Sequence, residues 1–164
     1  MLSSDRRLFC LGLAAALGGC GFRPVYGPGG SAGALQNTVQ VDAPLERDAY
    51  LLTRELEDRL GRATDPRYGL SYGIITRSEA IAISANNITT RYNILGEVTF
   101  ALREIASGKV LTSGKITNFT GYSASGSTVA TQAAERDARE RLMVMLAGQI
   151  IRQIEAASVV NGAA

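Results

Sequence analysis

The chain has 164 residues, 46% hydrophobic and 20% charged, with 17 basic against 15 acidic side chains and a net charge of +2. This is the composition of one folded domain and excludes disorder by composition; with 6% aromatic residues and no basic tract, it also lacks the material for a nucleic-acid surface. Histidine is absent, which removes His-based acid/base catalysis, Ser-His-Asp and Cys-His nucleophile pairs, and most zinc sites.

The chain opens with Asp5, Arg6 and Arg7, followed by an uncharged run from Leu8 to Gly19. That run is well short of the ~20 residues needed to span a bilayer and has the shape of a signal peptide over residues 1–19. A buried N-terminal helix is the poorer reading, because Gly12, Gly18 and Gly19 would each weaken it by ~1 kcal/mol. The run ends in Leu17-Gly18-Gly19-Cys20, which resembles the lipobox of bacterial lipoproteins, with Gly18 where Ala or Ser is commoner. Cys20 is then the acylated residue and the new N-terminus. Arg6-Arg7 with Phe9 also resembles a twin-arginine motif, with Asp5 where Ser or Thr is usual, so either export route fits. With Cys10 removed and Cys20 lipidated, the mature chain has no thiol for a disulfide, a metal or catalysis. Acyl chains at Cys20 anchor it to a membrane at ~0.8 kcal/mol per buried methylene. Gly21 after the cysteine is compatible with sorting to the outer membrane.

Residues 20–37 carry the lipid site and a Gly/Pro-rich tether, with Pro28-Gly29-Gly30-Ser31 at its centre. Phe22 and Tyr26 beside the anchor suit either the bilayer interface or a protein partner. Alternation from Thr38 to Asp42 predicts a short strand. Ala49, Leu52, Leu56 and Leu60 recur at helical spacing within Glu46 to Leu60, ahead of Gly61. Leu70, Tyr72 and Ile74 alternate on even positions and Ile81 and Ile83 on odd ones, so a bulge near Arg77 to Ala80 is expected.

The next strand sets Tyr92, Ile94, Gly96, Val98, Phe100 and Leu102 on one face. Its wetter face carries Asn93, Leu95, Glu97, Thr99 and Arg103, and Val110 to Tyr122 forms the antiparallel partner. Thr128 to Ala157 reads as a long helix with Ala134, Ala138, Leu142, Met145, Leu146, Ile150 and Ile154 as its buried stripe. Leu142 to Ile151 is apolar on more than one face, as in a helix sunk between sheet and neighbour, or one with a second contact surface. The expected fold is α+β, a four-stranded mixed sheet with two helices packed on one face, as a single domain over residues 38–157 with a tail at 158–164.

The lipobox followed at once by Gly21-Phe22-Arg23-Pro24-Val25-Tyr26-Gly27 resembles the LptE family of lipopolysaccharide-assembly lipoproteins in its alphaproteobacterial form. So does the strand, helix, meander, helix order ending in Gln149-Ile150-Ile151-Arg152-Gln153-Ile154. The resemblance implies a non-enzymatic outer-membrane lipoprotein, lipid-anchored on the periplasmic side, that plugs the lumen of the LptD β-barrel and assists delivery of lipopolysaccharide to the cell surface. It implies no cofactor. Polar strand positions such as Ser84, Asn86, Asn87, Thr89, Asn93, Thr117 and Asn118 suit a water-filled lumen.

The family's contacts to lipopolysaccharide through basic residues near the sheet turn and last helix have no basic counterpart in Ser84 to Thr90 or Val129 to Ala134. Arg77, Arg91 and Lys115 are the neighbouring candidates, and ordinary solvated strand charges are the plainer reading of them. A periplasm-facing lipoprotein that binds a small or lipidic ligand is the alternative function. For an enzyme, the best material is Ser113 with Lys115, or Glu55 with Asp58, and neither forms a convincing site: the carboxylates lie among Arg54 and Arg59, where exposed i,i+4 charge pairs are expected.

Overall fold

The computed structural model describes Gly33 and residues 35–83 and 89–162. The chain runs β1 (Val39–Val41), α1 (Arg47–Leu60), β2 (Tyr68–Ile83), β3 (Thr89–Glu104), β4 (Val110–Ser123) and α2 (Thr128–Gly162). The four strands lie side by side in sequence order. β1 is parallel to β2, while β2, β3 and β4 form an antiparallel meander, giving the expected mixed α+β sheet.

Register fixes the two faces. Leu70 lies opposite Leu102, Phe100 opposite Gly114, Val98 opposite Ile116, and Tyr92 opposite Tyr122, so the even positions of three strands share one face. Both helices contribute to the core on that face. From α1 come Leu52, Leu56 and Leu60, and from α2 come Leu142, Met143, Leu146, Ala147, Ile150 and Ile154, all 2% exposed or less. Gly96 lets α2 approach the sheet: a Cβ there would stand 3.0 Å from both Leu142 Cδ2 and Leu146 Cδ1. Tyr92 and Tyr122 stack at 5.4 Å between ring centroids, toward the end of the sheet where α2 begins.

Three details differ from the sequence reading, and one alternative it left open is decided. Met145, expected in the buried stripe of α2, is 36% exposed, and Met143 takes the core position. The apolar middle of α2 is explained by its place between sheet and α1, with Val144 and Met145 at its outer side. Ser78 and Ala80 remain paired with Ile94 and Tyr92, so the irregularity falls at Ile81, one residue beyond the expected segment. Leu35, read as tether, is a core residue. It is held there by a turn in which Asn37 N–H donates to the Leu60 carbonyl (2.8 Å) and Gln36 Nε2 to the Arg59 carbonyl (2.9 Å). Asn37 (φ 58) and Gly61 (φ 74) take left-handed conformations, and Gly61 terminates α1 with its N–H on the Glu57 carbonyl. No helix among the described residues is long and apolar enough to cross a membrane.

The helix layer is shorter than the sheet. α1 starts beside Thr76, whose Oγ1 donates to Asp48 Oδ2 at 2.8 Å. Beyond it, Arg77 to Ile81 are exposed, so the β2–β3 hairpin projects past the start of α1.

Candidate interaction surface

Odd positions of β2, β3 and β4 form the sheet face that neither helix covers. Across it, Gly73 pairs with Thr99 and Thr99 with Lys115; Ile75 pairs with Glu97 and Glu97 with Thr117; Arg77 pairs with Leu95 and Leu95 with Phe119. The face is therefore not only polar. Ile75 (55% exposed), Leu95 (37%) and Phe119 (60%) occupy adjoining register positions and form an apolar diagonal among threonines and charges. The sequence contained the signal: Ile74 and Ile75 are consecutive in a strand, so one must face away from the core, and Phe119 is out of phase with Ile116, Thr120 and Tyr122.

Charges on this face are partly tied down. Lys115 Nζ lies 2.7 Å from Glu97 Oε1, and Arg103 donates to Ser71 Oγ at 3.1 Å. Arg77, Arg91 and Lys115 all stand on the open face, on three different strands. Arg91 and Thr99, the partner of Lys115, are eight positions apart on β3, or ~27 Å at ~3.4 Å per residue. The three cations do not converge on one site. Cys20 and the polar positions Ser84, Asn86 and Asn87 lie outside the described residues.

A second polar feature lies on the helix side, where α1, α2 and β2 diverge around a cleft of about 420 Å³ lined by Arg47, Asp48, Thr76, Glu135, Arg136 and Arg139 among others. Arg139 bridges its walls, donating to Asp48 Oδ2 (2.9 Å) and to Glu135 Oε1 (2.9 and 3.2 Å). Burial alone would lower the Arg139 pKa, but the bonds to Glu135 and the charge of Asp48 outweigh it and raise it above the ordinary value. Arg139, Asp48 and Glu135 satisfy one another, and the cleft is not an apolar pocket for a small ligand. Nearby, Tyr72 donates to the Ala49 carbonyl (3.1 Å) and shares a 2.6 Å bond with Thr53 Oγ1. Burial pushes its phenol pKa above 10, partly offset by the bond to Thr53.

The groups considered for catalysis are engaged otherwise. Lys115 holds Glu97 rather than Ser113, and Glu55 meets Arg54 at 3.5 Å. Among the described residues no group of three or more acidic, histidine or cysteine side chains could hold a metal.

The family model LptE, described as lipopolysaccharide-assembly, matches residues 36–154. The fold is similar to that of a lipoprotein from Caulobacter crescentus, at 20% identity and TM-score 0.65, covering 79% of this chain and 98% of that one. It is also similar to the rare lipoprotein B from Shewanella oneidensis, at 15% identity and TM-score 0.57, covering 77% and 98% respectively. A minor lipoprotein from Acinetobacter baumannii aligns at 20% identity and TM-score 0.51, covering 73% and 89%. No curated protein matches the chain.

Proposed function

The chain belongs to the LptE lipopolysaccharide-assembly family, and from that premise we propose that it is an outer-membrane lipoprotein, anchored through Cys20, that acts as plug and assembly partner of the LptD β-barrel. The observation that carries this reading is the open sheet face. Among the described residues, 22 buried apolar side chains pack on one side of the sheet and none of the elements covers the other, where Ile75, Leu95 and Phe119 stand among Thr99, Thr117, Arg77 and the Glu97–Lys115 pair. That mixture suits contact with the polar lumen of a barrel, where a few apolar side chains meet partner side chains and the rest meet water or hydrogen-bonding groups. Contacts to lipopolysaccharide phosphates fall to Arg77 and Arg91, which have no carboxylate partner among the described residues; Lys115 is already engaged.

The test is affinity capture of the lipidated full chain from outer membranes in mild detergent. Recovery of a large β-barrel protein in near-equal amount, with a diacylated Cys20 by intact mass, is the expected result. Capture of no barrel, together with unaltered surface lipopolysaccharide in cells lacking the chain, overturns the proposal.

A further inference from the structure

Among the described residues the sheet ends at β4, and the free side of that strand is open in its middle. In the antiparallel ladder with β3, even residues of β4 turn their main-chain groups inward, as Ala124 N–H continues toward the Thr90 carbonyl (2.8 Å). Odd residues turn theirs outward. Two side chains confirm this: Asn118 Oδ1 accepts from the outward Phe119 N–H at 2.9 Å, and Arg141 on α2 reaches the outward Gly121 carbonyl at 3.5 Å. Below that capped end, the outward N–H and C=O groups of Ser113, Lys115 and Thr117 meet no hydrogen-bonding partner among the described residues.

Edges of this kind are usually blunted by proline, a bulge or a lysine reaching over the edge. β4 contains no proline, and its one register shift, between Leu102 and Arg103 of the partner strand, falls at its first residues. Lys115 turns its charge onto the open face to meet Glu97. On the opposite side of the sheet β1 pairs only with Tyr68 to Leu70 of β2, and the rest of that side of β2 differs from β4 in having the irregularity at Ile81.

We propose that the outward edge of β4 from Ser113 to Thr117 takes an extended, uncharged polypeptide segment of the barrel partner, added as a fifth strand. This rests on the barrel reading above and names the surface that would hold the partner. The chemistry is that of main chain to main chain: three outward residues offer alternating donors and acceptors over five positions, the length of an ordinary added strand. The neighbouring charges are already neutralised, Lys115 by Glu97 and Arg141 by Asp137, so nothing at the edge calls for a charged occupant. A second copy of this chain is the rival occupant, and the test below separates it by its dependence on concentration.

Hydrogen exchange of the lipidated full chain, alone and captured with its barrel, reads the edge directly. The Ser113, Lys115 and Thr117 amides should exchange about tenfold or more slowly in the complex. Thr117→Pro removes an outward donor without touching the β3 ladder and should lower barrel recovery about tenfold, while Thr117→Ala, which keeps that donor and loses only a side chain of the open face, should lower it far less. A captured barrel with these three amides exchanging as in the free chain overturns this inference and leaves the barrel reading standing. No captured barrel overturns this inference, and with unaltered surface lipopolysaccharide in cells lacking the chain it overturns the barrel reading too. Protection that grows with concentration in the free chain assigns the edge to a second copy and also overturns it. Should Thr117→Pro fail to fold, the wild-type exchange decides alone.

Discussion

The two faces of this sheet are built from alternate residues of the same strands and have opposite fates. On the covered face, Ile94, Val98 and Leu70 are fully buried against α1 and α2; at alternate positions, facing the other way, Leu95, Ile75 and Phe119 stand at least a third exposed. Strand propensity and local composition cannot separate Ile74 from Ile75, so hydrophobicity alone does not decide burial. What decides it is which side of the pleat the helices occupy. Apolar side chains on the covered face stabilise the fold, whereas those on the open face are available to a partner.

Substitutions that cross this divide should differ most. Leu142→Ala leaves a cavity where α2 meets Gly96 and should cost about 3–4 kcal/mol, read as a lowered denaturation midpoint. A loss below about 1 kcal/mol would mean that α2 does not hold the covered face. Next comes the clasp between the helices: Arg139→Met leaves the mostly buried Asp48 with Thr76 as its remaining side-chain partner and should cost about 2 kcal/mol, with the wild-type advantage shrinking as salt is added. Thermal unfolding of both proteins at low and high salt checks this.

Tyr72 gives a smaller effect with a pH signature. Tyr72→Phe loses the bonds to Ala49 and Thr53 and should cost about 1 kcal/mol near neutral pH. Because the folded-state pKa of Tyr72 is raised, the folded protein binds this proton more tightly than the unfolded chain. Its stability is therefore complete below pH 10 and is lost as the pH rises through the folded-state pKa. The variant lacks that titration, so urea unfolding series should show the gap between the two proteins narrowing above pH 10. Least affected in stability is the open face: Phe119→Ser with Leu95→Ser should shift unfolding by about 0.5 kcal/mol or less for each site, yet reduce capture of the barrel. A large loss of stability in that double variant would show that the face is part of the core.

Much of this protein follows from local pattern. Period-two alternation in Tyr92 to Leu102 marks one sheet face, the three-and-four spacing of Ala49, Leu52, Leu56 and Leu60 marks α1, and the sequence ending in Leu17-Gly18-Gly19-Cys20 resembles a lipobox, each carried within a few consecutive residues. The polar clasp had no such signature: Asp48 and Arg139 are 91 positions apart, and nothing near either one names the other. Met143 rather than Met145 entered the core because α2 contacts α1 as well as the sheet, which turns its buried sector beyond a single stripe. Leu35 joined the core because the Asn37 turn brings it back against the end of α1. Local sequence determined the elements and which residues share a face. Only the tertiary structure decided which face stayed bare, how far the helices cover the hairpin, and that the edge of β4 keeps its main chain open, because each depends on where one element ends relative to another.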